Sequence, residues 1–291
     1  MISIVIITHN RVHLLSRCVD DVLRRASEKT REVVIWNNAS NDGTKDYLDA
    51  LDDLRFRVVH HPENVGVNAY ARAFALASQP YLIELDDDII EAPARWDEQL
   101  LEAFLRIPRM GYLSASLADD PRDSQAQYLK YLREERNAYV RREIAGVTIL
   151  EGPTGGGCTI TSRELYDRIG GFRDNPKLAF WREDAAYVQD VHRLGYRTAV
   201  LEGLLVWHAG GVYYSDVPDA KMQFYEWQDR NLRRKDFVKR VLLRIPPVAV
   251  LNRRYKWFEP PHTYEPPAFR EMRGGGEPEF VSPIATPPHR Q

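Results

Sequence analysis

YLIELDDDII, residues 81–90, decides the reading of this chain. Four of its first five residues suit a buried strand; then Asp86, Asp87 and Asp88 arrive together before apolar residues resume. Adjacent carboxylates repel: at an effective dielectric of ~20, two unit charges ~4 Å apart cost about 4 kcal/mol. Unless all three are well solvated, protonation or a cation must offset that repulsion. Oxygen ligands favour hard cations such as Mg2+ or Mn2+. Side chains alternate along a strand, which puts Asp86 and Asp88 on one face and Asp87 on the other. An acid-x-acid pair at a strand end is then a seat for a metal carrying a phosphate ligand; the competing reading of a bare Asp triplet is a solvated turn.

Outward from that strand, the first half of the chain alternates two periodicities. SIVIIT (3–8), EVVIW (32–36), FRVVHH (56–61) and YLIEL (81–85) are short apolar runs that read as strands. Between them, RVHLLSRCVDDVLRRA (11–26) places Val12, Leu15, Val19, Val22 and Leu23 on one helical face. NDGTKDYLDALDDL (41–54) starts with cap-type residues and continues as a helix, and NAYARAFALAS (68–78) is helix-like. This alternation with short links predicts a mostly parallel sheet with helices on both faces. The apolar runs stop on polar groups: Thr8-His9-Asn10, Asn37-Asn38 and Asp86-Asp87-Asp88. In an open α/β sheet, ligands bind beyond the carboxyl ends of the strands, so these clusters are expected to line one cleft.

Downstream, SQAQYLKYLREERNAYVRRE (124–143) is polar and reads as helix, and GVTILEG (146–152) and GCTITS (157–162) read as strands. REDAAYVQDVHRLGYR (182–197) is an amphipathic helix with Tyr187, Val188, Val191 and Leu194 on one side and Gly195 at its stop. TAVLEGLLVWH (198–208) closes the main domain, taken as 1–215. A basic helical extension is expected over 216–259. Within it, residues 226–256 carry ten Lys/Arg and three acids, a balance of 10 − 3 = +7, interleaved with Trp227, Phe237, Val238, Val241, Leu242 and Ile245. This stretch has three readings: packing its apolar stripe on the main domain, which ranks first, lying peripherally on an anionic membrane, or making a homo-oligomer contact. From 260 to 291, 11 of 32 residues are Pro or Gly, too many to sustain a packed core, so that tail is expected to be irregular.

The bulk numbers bound the function. The 291 residues suffice for one large domain with an appendage, and a net charge of −2 points to no particular partner. The basic excess is local and no nucleic-acid motif accompanies it, so no nucleic-acid partner is expected. Cys18 and Cys158 form no CxxC pair, which argues against a disulfide scaffold or zinc site and fits a reducing, cytoplasmic compartment. MISIVII has seven residues and no basic leader, so it reads as a strand rather than a signal peptide. No run approaches the ~18–20 apolar residues that span a bilayer.

SIVIITHNR, VVIWNNASNDGT, NVGVNAYARAFALA, LIELDDD, GPTGGGCTITSRELYDRIGGF, WREDAAYVQDVHRLGYR and VWHAGG, in this order, resemble the motifs of the inverting family 2 glycosyltransferases. The resemblance runs over residues 2–212, about seven tenths of the chain. It implies a GT-A-type, Rossmann-like mixed sheet flanked by helices, binding a nucleotide-diphospho-sugar. Carried over by position, it implies that Thr8, Asn10 and Arg11 lie around the nucleotide and that Asn38 and Asp42 flank base and ribose. Asp86 and Asp88 would hold a Mn2+ or Mg2+ with the diphosphate, Asp87 lying beside the donor, and His208 would be the remaining metal ligand. Gly155 and Gly156 would form the loop against the donor sugar, Asp184 would be the catalytic base, and Glu183 and Trp181 would face the acceptor. Asn37 stands where the family usually has Asp, and Arg72 stands where it usually has Asn, which reads either as a group reaching a phosphate or as a plain surface residue. A UDP-sugar is the favoured donor and a hydroxyl of a glycan, glycolipid or small molecule the acceptor.

The chemistry asks for these residue types. Breaking an anomeric C–O bond leaves charge on a diphosphate, which a divalent cation offsets, while one carboxylate on the opposite face takes the acceptor proton. Residue 184 falls in the first turn of its helix, where the dipole favours an ionised carboxylate; a plain first-turn acid is the competing reading. Trp181 and Trp207 suit either sugar stacking or the core. TGGGC is followed by no Lys-Ser/Thr and is not a P-loop. Two other functions fit the same scaffold: a sugar-phosphate nucleotidyltransferase, disfavoured because THNRVHLL has no glycine, and a non-catalytic nucleotide- or carbohydrate-binding protein.

Overall fold

The computed structural model describes residues 1–120, 123–134, 137–173, 183–210, 234 and 237–255. They fall in two compact units, the larger including 1–120 and 132–209 and the smaller including 123–131, 210, 234 and 237–255.

The apolar runs become strands: β1 (Ile2–Thr8), β2 (Thr30–Asn38), β3 (Phe56–His61), β4 (Tyr81–Leu85), β5 (Ile89–Glu91), β6 (Met110–Leu117), β7 (Val140–Ile144), β8 (Val147–Glu151), β9 (Cys158–Ser162) and β10 (Arg197–His208). They form one sheet in the order β3-β2-β1-β4-β9-β6-β10-β8-β7, with β5 pairing to β10 off that path. Along the path, β8 and β9 run against the other described strands, so the sheet is mixed and mostly parallel, as expected. The chain leaves β1 toward β2 and β3, then returns to the other side of β1 as β4. That reversal opens a crevice beyond the carboxyl ends of β1 and β4.

Both faces of the sheet are covered, which is why its central strands are apolar at nearly every position. Ile4, Ile6, Ile83 and Leu85 pack with Leu15, Val19, Val22 and Trp96 on one side. Val5, Val34 and Leu82 pack with Tyr70, Phe74, Leu165, Tyr187 and Val191 on the other. The first helix, α1 (Val12–Arg17), continues as a wider π-helical stretch, Cys18–Leu23, and stops short of the expected residue 26; Val12 is only partly buried. Next, α2 (Thr44–Asp49) is shorter than its sequence pattern, while α3 (Ala69–Leu76) follows a single 3-10 turn, Gly66–Asn68. α4 (Trp96–Arg106) buries Leu100, Leu101 and Phe104. The stretch expected to be helical over 124–143 divides instead into α5 (Ser124–Glu134) and β7, because Val140 opens a run that pairs with β8 across the Ala145-Gly146 turn. α6 (Arg163–Ile169) starts where Ser162 accepts the Leu165 N–H and ends at Gly170 in the left-handed region, the usual start and stop chemistry of a helix. α7 (Glu183–Arg193) buries Tyr187 and Val191 as its periodicity predicts. A last helix, α8, spans Pro246–Tyr255. Cys18 and Cys158 are buried and free, in keeping with the absence of a disulfide.

Asp97, at the start of α4 and fully buried, ties this helix to the turn before β2 and to its first residue: it accepts from the Ser27 N–H (2.7 Å), the Ser27 hydroxyl (2.8 Å) and the Thr30 hydroxyl (2.7 Å). Replacing it with Ala leaves buried donors unsatisfied, so Asp97→Ala is expected to cost about 3 kcal/mol of unfolding free energy in a urea titration.

Candidate functional site

Strand pairing gathers the polar clusters. β1 and β4 lie side by side and parallel, so Thr8-His9-Asn10-Arg11 and Asp86-Asp87-Asp88 leave the sheet at the same rim. β9 runs antiparallel to β4 and pairs Cys158 with Leu85, which delivers Gly155–Gly157 to the acids; the Asp86 N–H donates to the Gly157 carbonyl at 2.7 Å. β5 pairs antiparallel with β10, setting His208 opposite Ile89, and the Ala209 N–H donates to the Asp88 carbonyl at 2.7 Å. Residues 86–88 are thus a turn between β4 and β5, not a strand end. The expected alternation of the three carboxylates gives way to a turn in which each finds its own partner.

Asp86 accepts from the Tyr70 hydroxyl at 2.7 Å. Asp87 and Asp88, both buried, share Arg11: its Nη1 lies 2.8 Å from Asp87 Oδ1 and 2.9 Å from Asp88 Oδ2. His208 Nε2 is 3.2 Å from Asp88 Oδ1. Burial, then the neighbouring charge of Asp88, pushes the Asp86 carboxyl up to about 6, against the opposing pull of His208 and of the Tyr70 hydroxyl. Burial also raises Asp87, against Arg11 and Thr8. Burial works against the charge of Arg11, yet the facing carboxylates outweigh it and hold its proton more firmly. One donor atom from each of Asp86, Asp88 and His208 lies within 4.8 Å of the others. Two carboxylates and an imidazole, in a pocket of like charge that Arg11 only partly offsets, fit a divalent cation such as Mn2+ or Mg2+.

On the other side of the glycine loop sits Asp184, in the first turn of α7 and partly buried. Its Oδ2 accepts from the Gly156 N–H at 3.2 Å, and its Oδ1 from the Ala185 N–H at 2.6 Å. Burial raises its carboxyl, and these backbone bonds only partly counter that. The loop is pinned from below, where the Ser114 and Thr159 hydroxyls donate to the Gly155 carbonyl at 2.8 and 2.7 Å. A Cβ on Gly155 would sit 2.9 Å from Asp184 Oδ2, and one on Gly156 would press on the Glu84 carboxylate, so either carboxylate would have to shift to admit it. Glu84 is buried in β4 and accepts from the Tyr112 hydroxyl at 2.6 Å. Burial, then the charges of Glu84 and Asp184, keeps that phenol protonated well beyond its ordinary range.

The residues expected around the nucleotide hold the rim loops to one another. Asn10 has a left-handed backbone (φ 52°), donates its N–H to Ser40 Oγ at 3.0 Å and accepts from the Asn41 N–H at 2.7 Å. Asp42 accepts from the Val12 N–H at 3.0 Å, capping α1, and from the Thr44 N–H at 3.1 Å and the Thr44 hydroxyl at 2.5 Å. Burial would raise its carboxyl, but the Thr44 hydroxyl and these amides hold it below the usual range. Asn38, expected beside the base, is buried and bonds Asn64 Oδ1, the Gly66 carbonyl and the Val65 N–H. Thr8 is buried against Asp87. Arg72 is exposed on α3, its Nη1 3.2 Å from His61 Nε2, and is not part of the acidic cluster. Trp207 is buried as a core residue. Trp181 and the Glu183 side chain lie outside the described residues. Tyr70, Glu84 and Tyr112 were not foreseen. Glu84 alone left a signal, as the one acid inside an otherwise apolar strand.

The profile of glycosyl transferase family 2 matches residues 3–170. Solved structures share the fold. Mannosyltransferase PcManGT from Pyrobaculum calidifontis, in complex with GDP-Man and Mn2+, is 24% identical with a TM-score of 0.51 over 72% of this chain and 56% of its own. GalNAc-T7 with UDP, GalNAc and Mn2+ is 19% identical, TM-score 0.53, over 72% and 43%. Residues 1–349 of S. aureus TarS are 16% identical, TM-score 0.52, over 71% and 60%. In each case the chain covers less than two thirds of the other protein's length.

Arg11 is the permanent cation of the cluster, so Arg11→Met is expected to lower unfolding free energy by about 2 kcal/mol, discounted for the 27% exposure of its side chain. Added Mn2+ is expected to raise the thermal midpoint of Arg11→Met more than that of the wild type, because the metal then answers charge that Arg11 otherwise covers.

Proposed function

The chain belongs to glycosyl transferase family 2, and from that premise we propose an inverting, metal-dependent transferase that moves a sugar from a nucleoside-diphosphate donor to a hydroxyl of a glycan, glycolipid or small-molecule acceptor. One observation carries the reading: the Gly155–Gly157 loop meets Asp86 at one end and Asp184 at the other. A donor sugar lying on this loop has a diphosphate-binding side and a base side.

Asp86, Asp88 and His208 would hold a Mn2+ or Mg2+, which when bound supplies charge compensation for the leaving diphosphate. The remaining work falls to the chain's own groups. Asp184 accepts the proton of the acceptor hydroxyl as that oxygen bonds to the anomeric carbon and the bond from that carbon to the diphosphate oxygen breaks. Attack from the face opposite the leaving group inverts the anomeric centre. Gly156 holds Asp184 through its N–H and so sets the direction of the carboxylate. Arg11 and Asp87 lie by the diphosphate, Thr8, Asn10, Asn38 and Asp42 frame the nucleotide, and Trp181 with Glu183 orients the acceptor. UDP-sugars come first in a donor panel, with GDP-sugars beside them, since the structural neighbours were solved with both kinds of nucleotide.

Asp184→Asn is expected to retain Mn2+-dependent nucleotide binding, measured by calorimetry, while transfer falls by about a thousandfold; transfer at the wild-type rate removes the base assignment. In the wild type the ionised carboxylate is the active form and burial raises its pKa. Transfer should therefore decline as pH falls, with the acid limb of kcat above the ordinary carboxylate value of about 3.9. His208→Ala should weaken Mn2+-dependent nucleotide affinity by at least the ~10–100-fold that loss of a supporting partner costs a metal site. An unchanged Mn2+ requirement would count against ligation.

A further inference from the structure

Residues 237–255 of the smaller unit form two consecutive helical stretches, 237–243 and α8, joined by a turn at Arg244-Ile245. The segment carries five Lys/Arg (239, 240, 244, 253 and 254) and no acid. Five of its apolar side chains are exposed, Phe237 at 68%, Val238 at 54%, Val241 at 45%, Ile245 at 45% and Val250 at 62%. Each such side chain left in water forgoes about 25 cal/mol per Å2 of apolar area. Several within twenty residues therefore mark a surface that is covered in use.

The chemistry of the cover follows from having both features on one short stretch. A second copy of the segment would set like charge against like charge, with no acid within either copy's segment. A bilayer with anionic headgroups meets both demands: the apolar side chains enter the acyl boundary, and the Lys and Arg side chains meet phosphate oxygens. No described helix is long and apolar enough to cross a membrane, so the arrangement is one of lying in the interface. We propose that residues 237–255 dock the protein on the surface of an anionic bilayer. The proposal does not rest on the transfer reading, and it can be tested without donor or acceptor.

The test is co-sedimentation of the full chain with vesicles of phosphatidylcholine alone and of phosphatidylcholine with about one third phosphatidylglycerol, at low and raised salt. Binding is expected to the anionic vesicles, with little to the neutral ones and release by salt. R240Q/R244Q should weaken it by about thirtyfold, from the loss of two surface cations. F237S/V241S should weaken it by about tenfold, with thermal midpoints unchanged in both variants. The salt and lipid dependence of the wild type tests the proposal even if a variant unfolds. Binding to neither vesicle, or equally to both, overturns it. So does a lipid-free dimer in sedimentation velocity that F237S/V241S disperses, which would assign the face to a second copy.

Discussion

Three consecutive carboxylates between β4 and β5 are the constraint around which the larger unit is arranged. At separations of ~4 Å, each uncompensated pair costs about 4 kcal/mol at an effective dielectric of ~20, comparable to a large part of a domain's net stability. The fold answers with groups drawn from distant sequence. Arg11 comes from the turn after β1, Tyr70 from α3 and His208 from the end of β10. Two of these arrive because of strand order alone: β4 lies beside β1, and β5 folds back on β10. The compensation is incomplete by design of the turn, since Asp86 is still pushed up to about 6 by burial and by Asp88. A charge deficit of that kind, lined by oxygen donors, is what gives a cation site its affinity.

The glycine loop is the second fixed point, and it depends on the first. Its position follows from β9 pairing with β4, and its closeness to three carboxylates follows from lacking Cβ atoms. Glu84 presses on Gly156 from within the sheet while Tyr112 satisfies that carboxylate from β6. Burying an acid in a central strand is costly unless it is hydrogen-bonded, so its presence there needs a counterpart above the sheet. The loop is that counterpart: it stands on Glu84 and holds Asp184 by an amide. Carboxylates on either side of one rigid backbone segment are thereby kept at a set spacing with no direct contact between them.

Much of the larger unit was legible in the sequence, for physical reasons that also mark where reading stopped. FRVVHH and YLIEL became β3 and β4 at the same bounds, because short apolar runs flanked by polar residues have few alternatives in a two-sided sheet. The stretch 124–143 did not, because a polar, Arg-rich run carries no periodicity strong enough to show that Val140–Ile144 would be an edge strand. β5 is three residues long and exists through its pairing with β10, a long-range event that no local pattern records. The same division applies to the site. Asp86, Asp88 and His208 were visible as residue types with chemistry, and their convergence follows from topology. Tyr70 was not, since a tyrosine on an amphipathic helix looks like core, and only the distance to Asp86 gives it another duty.

The polar residues at the rim are bound to one another before any ligand is considered. Asn10, Asn38 and Asp42 each make two or three hydrogen bonds to neighbouring loops, so their side chains are already engaged. Their service to a ligand is then largely indirect: they fix the backbone after β1, β2 and β3 in one arrangement before anything binds. Immobilising loops on binding costs about 0.5–1.5 kcal/mol per ordered side chain, and a network closed in advance avoids that cost. In this chain Asn37 bonds the Ser40 N–H and lies 3.0 Å from His60 Nδ1, which makes it one more strut of the same network. The amide at 37 thus acts by keeping that backbone in place.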